Sequence, residues 1–313
     1  MIHKAKPCAA LPLASTRAAF DEWVLHYRPH VASLRTDMSH SAEGRSPSEK
    51  SGQDRQAIPL LQANAAVESN RLSVRARPAD RKPVMHQRWD DLLFLHWSYN
   101  PSAIQRTLPR GLTVDTFEGK AYIGIVPFYM RNVRPRHCPR VPGLSDFLEL
   151  NVRTYVFDDQ GVPGVWFYSL DANQWLAVRA GRYFFSLPYF DSKMRADKNS
   201  ANGAIRYLSH RRGTQDDLSS CFHYRPHGNT RLAHPGTLEF FLIERYVLFA
   251  KLAGRAGPWS GRVHHQPYPL RDVEVAECDD AVLELDGLRR TGKGPDHAVF
   301  SPGVTVEVFA LQE

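Results

Sequence analysis

The sequence lacks the short motifs that assign common enzyme chemistries. It contains no Gly-x-Ser-x-Gly elbow, no phosphate-binding loop, no dinucleotide-binding fingerprint and no Cys-x-x-Cys pair. Each of these motifs positions a nucleophile, a phosphate group or a redox centre, so none of those chemistries can be assigned here from a motif. Function must therefore be inferred from side chains that the strands and helices bring together.

Cysteine is scarce, and long apolar runs are absent. The four cysteines are Cys8, Cys138, Cys221 and Cys278, and their spacing fits neither a metal site nor a redox pair. We expect reduced thiols in a cytoplasmic protein. The run from Tyr122 to Met130 is about the longest apolar stretch and is far shorter than a membrane span. We therefore expect no membrane partner.

Histidine does not form a recognisable metal motif. His223, His227 and His234 lie in a segment rich in Pro, Gly and Asn that has no cysteine pair. His264 and His265 are adjacent, and adjacent residues of a strand point to opposite faces. We therefore predict no metal and no cofactor.

Positive charge is concentrated at the N-terminus. Residues 1–84 hold 13 Lys and Arg against 8 Asp and Glu, which gives +5 of the total net charge of +7. The polar run from Ser39 to Arg55 has little to bury, so we predict a disordered basic tail over 1–84. Two alternatives carry equal weight: the tail is a real, flexible extension, or translation starts at Met85 and the tail is not made.

The remainder of the chain does not show the clustered positive charge that binds nucleic acid. Residues 85–313 carry a net charge of +2, the difference between +7 and +5, whereas nucleic-acid binding requires a clustered basic patch. The one local basic run consists of Arg131, Arg134, Arg136 and Arg140 and is interleaved with prolines. We interpret it as a solvated loop rather than as a phosphate-binding site.

Residues 147–157 alternate strictly between two kinds of side chain. One side has Leu148, Leu150, Val152, Thr154 and Val156, and the other has Glu149, Asn151, Arg153 and Tyr155. A period of two with β-branched and aromatic residues predicts a strand. A carboxylate, an amide, a guanidinium and a phenol in a row favour the wall of a cavity, where polar groups recognise a ligand.

The remaining pattern predicts an α+β domain over 85–313. Alternating runs bounded by turn signals are frequent, and helices are indicated after Asn100-Pro101, over 171–180 and over 237–250. Many strands with two or three helices favour an antiparallel, closed or half-closed β-barrel. A small barrel of this kind can enclose one ligand.

Several short segments carry a resemblance to a known family. They include Leu95-His96-Trp97, Val126-Pro127-Phe128, residues 149–156, Gly164-Val165-Trp166-Phe167, Leu187-Pro188-Tyr189 and Glu244-Arg245-Tyr246. On these segments, residues 89–311 resemble the YqjF-like family of uncharacterised proteins and, more distantly, the acetoacetate decarboxylase-like superfamily. The resemblance implies a cone-like β-barrel with a buried interior pocket.

The distant resemblance also bears on chemistry. Acetoacetate decarboxylases carry a Gly-Arg-Glu motif, followed by a lysine that forms a Schiff base with the keto acid. Here Gly181-Arg182 matches the start of the motif, but Tyr189 occupies the Schiff-base position and Phe190 replaces the cation that would lower the lysine pKa. Because a phenol cannot form an imine, we predict no Schiff-base chemistry. We interpret Lys193, four residues later, as a solvated lysine.

These observations predict one interior site. The predicted ligand-binding residues are Glu149, Asn151, Arg153, Tyr155, Arg182 and Tyr189. Glu149 and Arg153 lie about 13 Å apart along a strand and cannot pair with each other. We therefore expect Arg182 or Arg245 to pair with Glu149. For Arg153 the candidate partners are Glu244 and Asp171.

We predict that a small acidic or carbonyl-bearing metabolite binds inside the barrel, with Arg153 or Arg182 contacting a carboxylate. An alternative is an enzyme of the lyase or hydrolase type, with Glu149, Arg182 and Tyr189 as catalytic residues. A second alternative is a structural protein with a packed interior. The sequence leaves open whether the protein is an enzyme and whether it forms a homo-oligomer.

Overall fold

The computed structural model describes residues 70–215, 218–255 and 257–313. After residue 84 the described chain forms twelve β-strands and four short helices. The strands are β1 (Met85–Tyr99), β2 (Leu112–Val114), β3 (Ala121–Pro135), β4 (Phe147–Asp158), β5 (Pro163–Ala172), β6 (Tyr189–Lys198), β7 (Ile205–Arg211), β8 (Ser220–Arg231), β9 (Val247–Lys251), β10 (Pro258–His264), β11 (Leu270–Cys278) and β12 (His297–Val308). The helices are α1 (Pro101–Gln105), α2 (Trp175–Phe185), α3 (Leu238–Ile243) and α4 (Val282–Leu285). The fold is α+β and mostly sheet, as the sequence predicted.

All twelve strands pair in the order β10-β9-β5-β6-β7-β8-β11-β12-β1-β3-β4-β2, and the further pairs β10–β12 and β4–β5 close this order on itself. The closure makes a ring of nine strands and a ring of seven, and both rings contain β12, β1, β3, β4 and β5. The pairs β5–β6 and β5–β9 are parallel, which corrects the prediction of an antiparallel sheet. A crossover connection explains the first pair, because α2 links β5 to β6.

The shared strands have an apolar core on each face. In β1, Leu93 and Leu95 belong to one core, whereas Leu92 and Phe94 belong to the other. Such two-sided burial follows from the alternation of side chains along a strand when both faces are covered. The polar residues of β4 therefore have no face that is open to bulk water.

The helix after Asn100 begins as predicted, but two other predicted helices need correction. Asn100 caps α1 by accepting a hydrogen bond from the Ser102 amide. Helix α2 is capped by Gln174 rather than starting at 171, and it ends beyond 180, at Phe185. The helix predicted over 237–250 ends at Ile243, and residues 247–251 instead form β9 between β5 and β10. The β-branched Val247 and the aromatic Phe249 favour a strand over a helix in this segment.

Part of the predicted basic tail contacts the domain. Arg71 and Val74 are only 5% and 7% exposed, and Arg262 donates hydrogen bonds to the carbonyl groups of Val74 and Ala76. Residues 1–69, the rest of that tail, lie outside the described residues. Within the described part of the chain, no helix is long and apolar enough to cross a membrane.

Candidate functional site

The alternation predicted for residues 147–157 is present in β4. Leu148, Leu150 and Val152 belong to one apolar core. On the other face, the exposed fractions of Glu149, Asn151 and Arg153 are 2, 8 and 9%. Buried polar groups are costly unless each finds a partner, so the environment of these three side chains decides what the site can do.

The polar side of β4 faces an interior cavity of about 130 Å³. Most of the wall is apolar and comes from β1, β3, β4, β5, α2, β9 and β10. The polar side chains in the wall are Gln87, Asn151, Arg153, Tyr189, Arg245 and Tyr268. A mostly apolar cavity with a few placed polar groups is typical of a small-molecule site.

Arg153 carries a buried positive charge into this cavity. Its Nη2 donates a hydrogen bond of 3.2 Å to the carbonyl oxygen of Leu242, and its guanidinium lies 5.5 Å from the ring centre of Phe94. The Nε atom is buried without a hydrogen-bond partner, and no carboxylate of the described residues forms an ion pair with Arg153. The energetic cost of this arrangement would fall if an anion entered the cavity.

A second source of positive charge lies beside the cavity. Asp115 accepts hydrogen bonds of 2.8 and 2.9 Å from Arg71 and one of 2.8 Å from Arg245. All three side chains are buried. The two guanidinium groups of Arg71 and Arg245 therefore share the carboxylate of Asp115. Burial lowers the pKa of Arg245 to about 10, which leaves the group charged at neutral pH.

Three buried polar atoms at the cavity have no hydrogen-bond partner among the described residues. They are Asn151 Oδ1, Arg153 Nε and Arg245 Nη2. The set contains two donors and one acceptor, and each atom belongs to a side chain of the cavity wall. A buried polar atom without a partner is rare in a folded protein, so a bound molecule that supplies the missing partners would stabilise this site.

Glu149 and Tyr189 form a neutral pair at one end of the site. The Tyr189 hydroxyl donates a hydrogen bond of 3.0 Å to Glu149 Oε2. Burial raises the pKa of Glu149 to about 8, against the opposing effect of hydrogen bonds from Tyr189 and Asn151. Burial raises the pKa of Tyr189 well above its usual value, and ionisation of Glu149 would raise it further. Both groups therefore hold their protons at neutral pH.

Tyr155 lies behind the cavity wall rather than in it. Its hydroxyl is 2.7 Å from His96 Nε2, and the side chain is fully buried. Burial lowers the pKa of His96 well below the usual value, and the neighbouring His297 and Arg153 add to this effect. The Tyr155 ring centre is 5.0 Å from the guanidinium of Arg245 and 5.6 Å from that of Arg153. Tyr155 thus supports both cations through its aromatic face.

Arg182 lies outside the cavity wall. It is exposed, and its Nε donates a hydrogen bond of 2.7 Å to the carbonyl oxygen of Tyr189. Of the six predicted site residues, the structure therefore brings Glu149, Asn151, Arg153 and Tyr189 together.

The predicted ion-pair partners were wrong. Glu149 pairs with Tyr189 instead of Arg182 or Arg245, because Arg245 is held by Asp115. Arg153 has neither of its predicted partners: Asp171 binds Arg211 at 2.8 Å, and Glu244 accepts hydrogen bonds from Tyr246 and from the Tyr268 amide. Three further residues of the site, Arg71, Asp115 and Gln87, were not predicted, because their segments carry no local signal.

Comparison with known proteins identifies the family. The model of the DUF2071 family, described as an uncharacterized conserved protein, matches residues 86–305. The chain belongs to this family. It is 38% identical to "Uncharacterized protein YqjF" of Bacillus subtilis (strain 168) over 207 residues, which are 66% of this chain and 82% of that protein. The predicted YqjF-like identity is confirmed.

Solved structures resemble the fold at low sequence identity. The enduracididine biosynthesis enzyme MppR complexed with pyruvate is 14% identical, with a TM-score of 0.50 that covers 75% of this chain and 92% of that chain. An acetoacetate decarboxylase-like enzyme from Sphingomonas wittichii RW1 is also 14% identical, with a TM-score of 0.48 that covers 74% of this chain and 94% of that one. At these identities the likeness extends to the fold alone.

Proposed function

We propose that the interior cavity binds a small molecule with a carboxylate or carbonyl group, and that Arg153 is its main contact. The observation that carries this proposal is the buried guanidinium of Arg153, which has no carboxylate partner among the described residues. Asn151 Oδ1 and Arg245 Nη2, both unpartnered, would supply an acceptor and a further donor. Planar guanidinium groups bind carboxylates through paired hydrogen bonds.

The size of the cavity limits the ligand. At about 130 Å³ it is close to an engineered cavity of about 150 Å³ that binds benzene. A molecule of about six non-hydrogen atoms therefore fits, whereas a drug-sized ligand needs at least about 300 Å³. Pyruvate, which is bound to the MppR enzyme of similar fold, is a sensible first probe because it joins a carboxylate to a carbonyl within this size.

We further propose that the ring of strands encloses the cavity as a cone-like barrel, in a cytoplasmic protein. In support, β1, β3, β4, β5, β9, β10 and β12, the members of the seven-strand ring, all contribute side chains to the wall. Enclosure would exclude water from Arg153 and strengthen its attraction for an anion.

We also propose that binding proceeds without a Schiff base. The lysines of the described residues are Lys82, Lys120, Lys193, Lys198, Lys251 and Lys293, and each is exposed. None of them belongs to the cavity wall. Borohydride treatment in the presence of pyruvate should therefore leave the protein mass unchanged. A stable adduct at Lys193 would contradict this proposal.

Ligand screening with matched variants tests the proposed function. We expect small carboxylic acids, but not the corresponding amides, to raise the melting temperature, because a ligand that binds only the folded state stabilises it. Arg153→Met should weaken binding at least about 30-fold through loss of a buried charged contact. Arg182→Met is the control and should leave affinity unchanged. Equal losses in both variants, or no shift with any acid, would contradict the proposal.

A second candidate function is proton transfer to a bound carbonyl group. Glu149 is protonated at neutral pH, and its partner Tyr189 lies in the cavity wall. A buried carboxyl group whose pKa is near 8 is suited to general acid catalysis. Protonation of the carbonyl oxygen while solvent water removes an α-hydrogen gives the enol, so exchange of the α-hydrogens of pyruvate with deuterated solvent would reveal this activity. Glu149→Gln should abolish the exchange while leaving pyruvate binding in place.

A further inference from the structure

A second concave site lies on the outer surface of the sheet. Residues 77–83 run past the ends of β1 and β12 and form a cleft of about 450 Å³. Four permanent cations line it, Arg77, Arg81, Lys82 and Arg136, together with Asp80, His86 and Glu307. Four cations against two carboxylates leave a net charge of +2.

The cleft is separate from the interior cavity. Met85 and Gln87 point into the cavity, so His86 between them points to the opposite face of β1. The same alternation holds in β12, where Val308 lines the cavity and Glu307 lines the cleft. A ligand in the cleft would therefore leave the interior site unoccupied.

The arrangement of the cations is fixed by the fold. Backbone pairing places His86 opposite Arg134 on one side and opposite Glu307 on the other. The Arg136 amide donates a hydrogen bond of 3.0 Å to the carbonyl oxygen of Val84, which brings Arg136 next to the 77–83 segment. One arginine of the local basic run, Arg136, thus lies next to a second basic segment.

The carboxylates do not neutralise these cations. Glu307 is occupied by Arg77, whose Nε and Nη2 donate to it at 2.6 and 3.1 Å. Arg81, Lys82, Arg134 and Arg136 form no ion pair with any carboxylate of the described residues. In addition, Arg81 Nη1 is buried without a hydrogen-bond partner among those residues.

We propose that this cleft binds a small anion with at least two negative charges, of the diphosphate type. Its volume lies within the range of about 300–1,000 Å³ typical of small-molecule sites. Guanidinium groups recognise phosphate oxygens through paired hydrogen bonds. Of the basic run 131–140, which the sequence indicated as a solvated loop, Arg136 lines the cleft, whereas Arg131 and Arg140 pair with Asp90 and Asp146. The proposal does not depend on the function proposed for the interior cavity.

The pKa of His86 should change when an anion binds in the cleft. Burial lowers the pKa of His86; Arg134, Arg136 and Arg77 lower it further, and Glu307 raises it. An anion bound among those cations would favour the charged imidazole, so the pKa of His86 should rise on binding. Nuclear magnetic resonance of the histidine ring protons in the full chain measures this directly.

The test uses sodium pyrophosphate as the probe and sodium chloride at the same ionic strength as the reference. We expect pyrophosphate to raise the pKa of His86 in a saturable manner, with a dissociation constant below 1 mM as an order of magnitude. The double variant Arg81→Gln, Lys82→Gln should weaken binding at least about tenfold. Arg195→Gln is the control, because Arg195 is exposed and pairs with Asp197 outside the cleft.

Three outcomes would overturn the proposal. They are an equal rise of the His86 pKa in sodium chloride, an equal loss of pyrophosphate affinity in the Arg195 control, and unchanged binding in the double variant. Lys82 is exposed and Arg81 is half-buried, and urea unfolding of each variant shows whether it folds like the parent chain.

Discussion

The Tyr189 hydroxyl donates a hydrogen bond of 3.0 Å to Glu149 Oε2, which joins the first residue of β6 to the third residue of β4. Both side chains are shielded from water, and burial raises both pKa values. The pair is therefore uncharged at neutral pH, while Arg153 on the same face of β4 is charged. Tyr189 and Arg153 both lie in the cavity wall, so a phenol and a fixed cation can contact a carbonyl and a carboxylate of one ligand.

The raised pKa of Glu149 predicts a specific pH dependence of stability. The pKa is about 8 in the folded chain, against an ordinary value of 4.5 for a glutamate side chain. The folded state therefore binds a proton that the unfolded state releases between these values, so stability should fall as pH rises from 4.5 to 8. The limiting slope is about 1.4 kcal/mol per pH unit. Glu149→Gln, which cannot ionise, should lose this contribution.

Urea unfolding between pH 5 and pH 9 measures the effect. The free energy of unfolding of Glu149→Gln, relative to that of the parent chain, should increase with pH up to about pH 8 and then level off. Glu284→Gln, at an exposed position of α4, serves as the control. A constant difference between Glu149→Gln and the parent chain would show that Glu149 is already ionised in the folded protein.

Gly181 in helix α2 sets the position of Tyr189. A Cβ atom at Gly181 would lie 2.4 Å from two ring atoms of Tyr189. We expect Gly181→Ala to destabilise the protein by about 1–3 kcal/mol through overpacking, although alanine is the better helix former by about 1 kcal/mol. Displacement of the ring should also weaken the hydrogen bond to Glu149.

Thermal unfolding of paired variants tests the role of Gly181. Adding Tyr189→Leu, which removes the ring, should recover part of the stability that Gly181→Ala loses. Gly294→Ala is the control, because a Cβ there meets nothing within 4 Å. If Gly181→Ala proved as stable as the Gly294 variant, close packing would not fix the tyrosine.

The sequence predicts the polar face of β4 because strand periodicity is local. A period of two assigns Glu149, Asn151 and Arg153 to one side without any knowledge of the rest of the fold. Their partners cannot be found in this way. Tyr189 is 40 residues from Glu149, and Arg245 is 130 residues from Asp115. Contacts over such separations depend on how strands pair, which no local pattern encodes.

The segment after α3 shows a second limit of prediction from sequence. Residues 240–249 contain apolar side chains that fit a helical face, and a short apolar run does not distinguish a helix from a buried strand. The deciding contacts are those of Val247, Leu248 and Phe249 with strands β5 and β10. The chain leaves the helix at Ile243, which allows Arg245 to reach Asp115 and the cavity.

Arg153 and Arg211 should respond in opposite ways to the same substitution. Both are buried, but Arg211 pairs with Asp171 at 2.8 Å and with Asp286 at 2.9 Å, whereas no carboxylate of the described residues pairs with Arg153. In the unliganded protein, Arg153→Met should stabilise the fold by about 1–3 kcal/mol, because an uncompensated buried charge is removed. Arg211→Met should cost about 3–5 kcal/mol, because it leaves buried carboxylates unpaired.

Urea unfolding of the two variants without ligand gives the comparison. Without ligand, Arg153→Met should be more stable than the parent chain. With a saturating carboxylic acid the parent chain should become the more stable of the two, because only the parent chain gains stability from binding. Equal destabilisation by both substitutions would indicate that Arg153 serves the fold rather than a ligand.

Arg71 tests whether the segment before Met85 is part of the folded domain. Its two hydrogen bonds to Asp115 are buried, so Arg71→Met should lower the free energy of unfolding by about 2 kcal/mol. Asp115→Asn should cost more, because it removes the carboxylate that pairs with the buried Arg245 as well as the one that Arg71 contacts. A chain that starts at Met85 should be less stable than Arg71→Met, because it also lacks the buried Val74 side chain.

Urea denaturation of the full chain, the two point variants and the chain starting at Met85 measures this order. The start at Met85 stays a prediction. The order of stabilities shows whether a chain that starts there would lack stabilising contacts. If the chain starting at Met85 were as stable as the full chain, the contacts of Arg71 and Val74 would contribute nothing. The expected order instead would mean that residues 70–84 stabilise the domain, because Arg71 contacts Asp115, which also holds Arg245, and Val74 buries apolar surface.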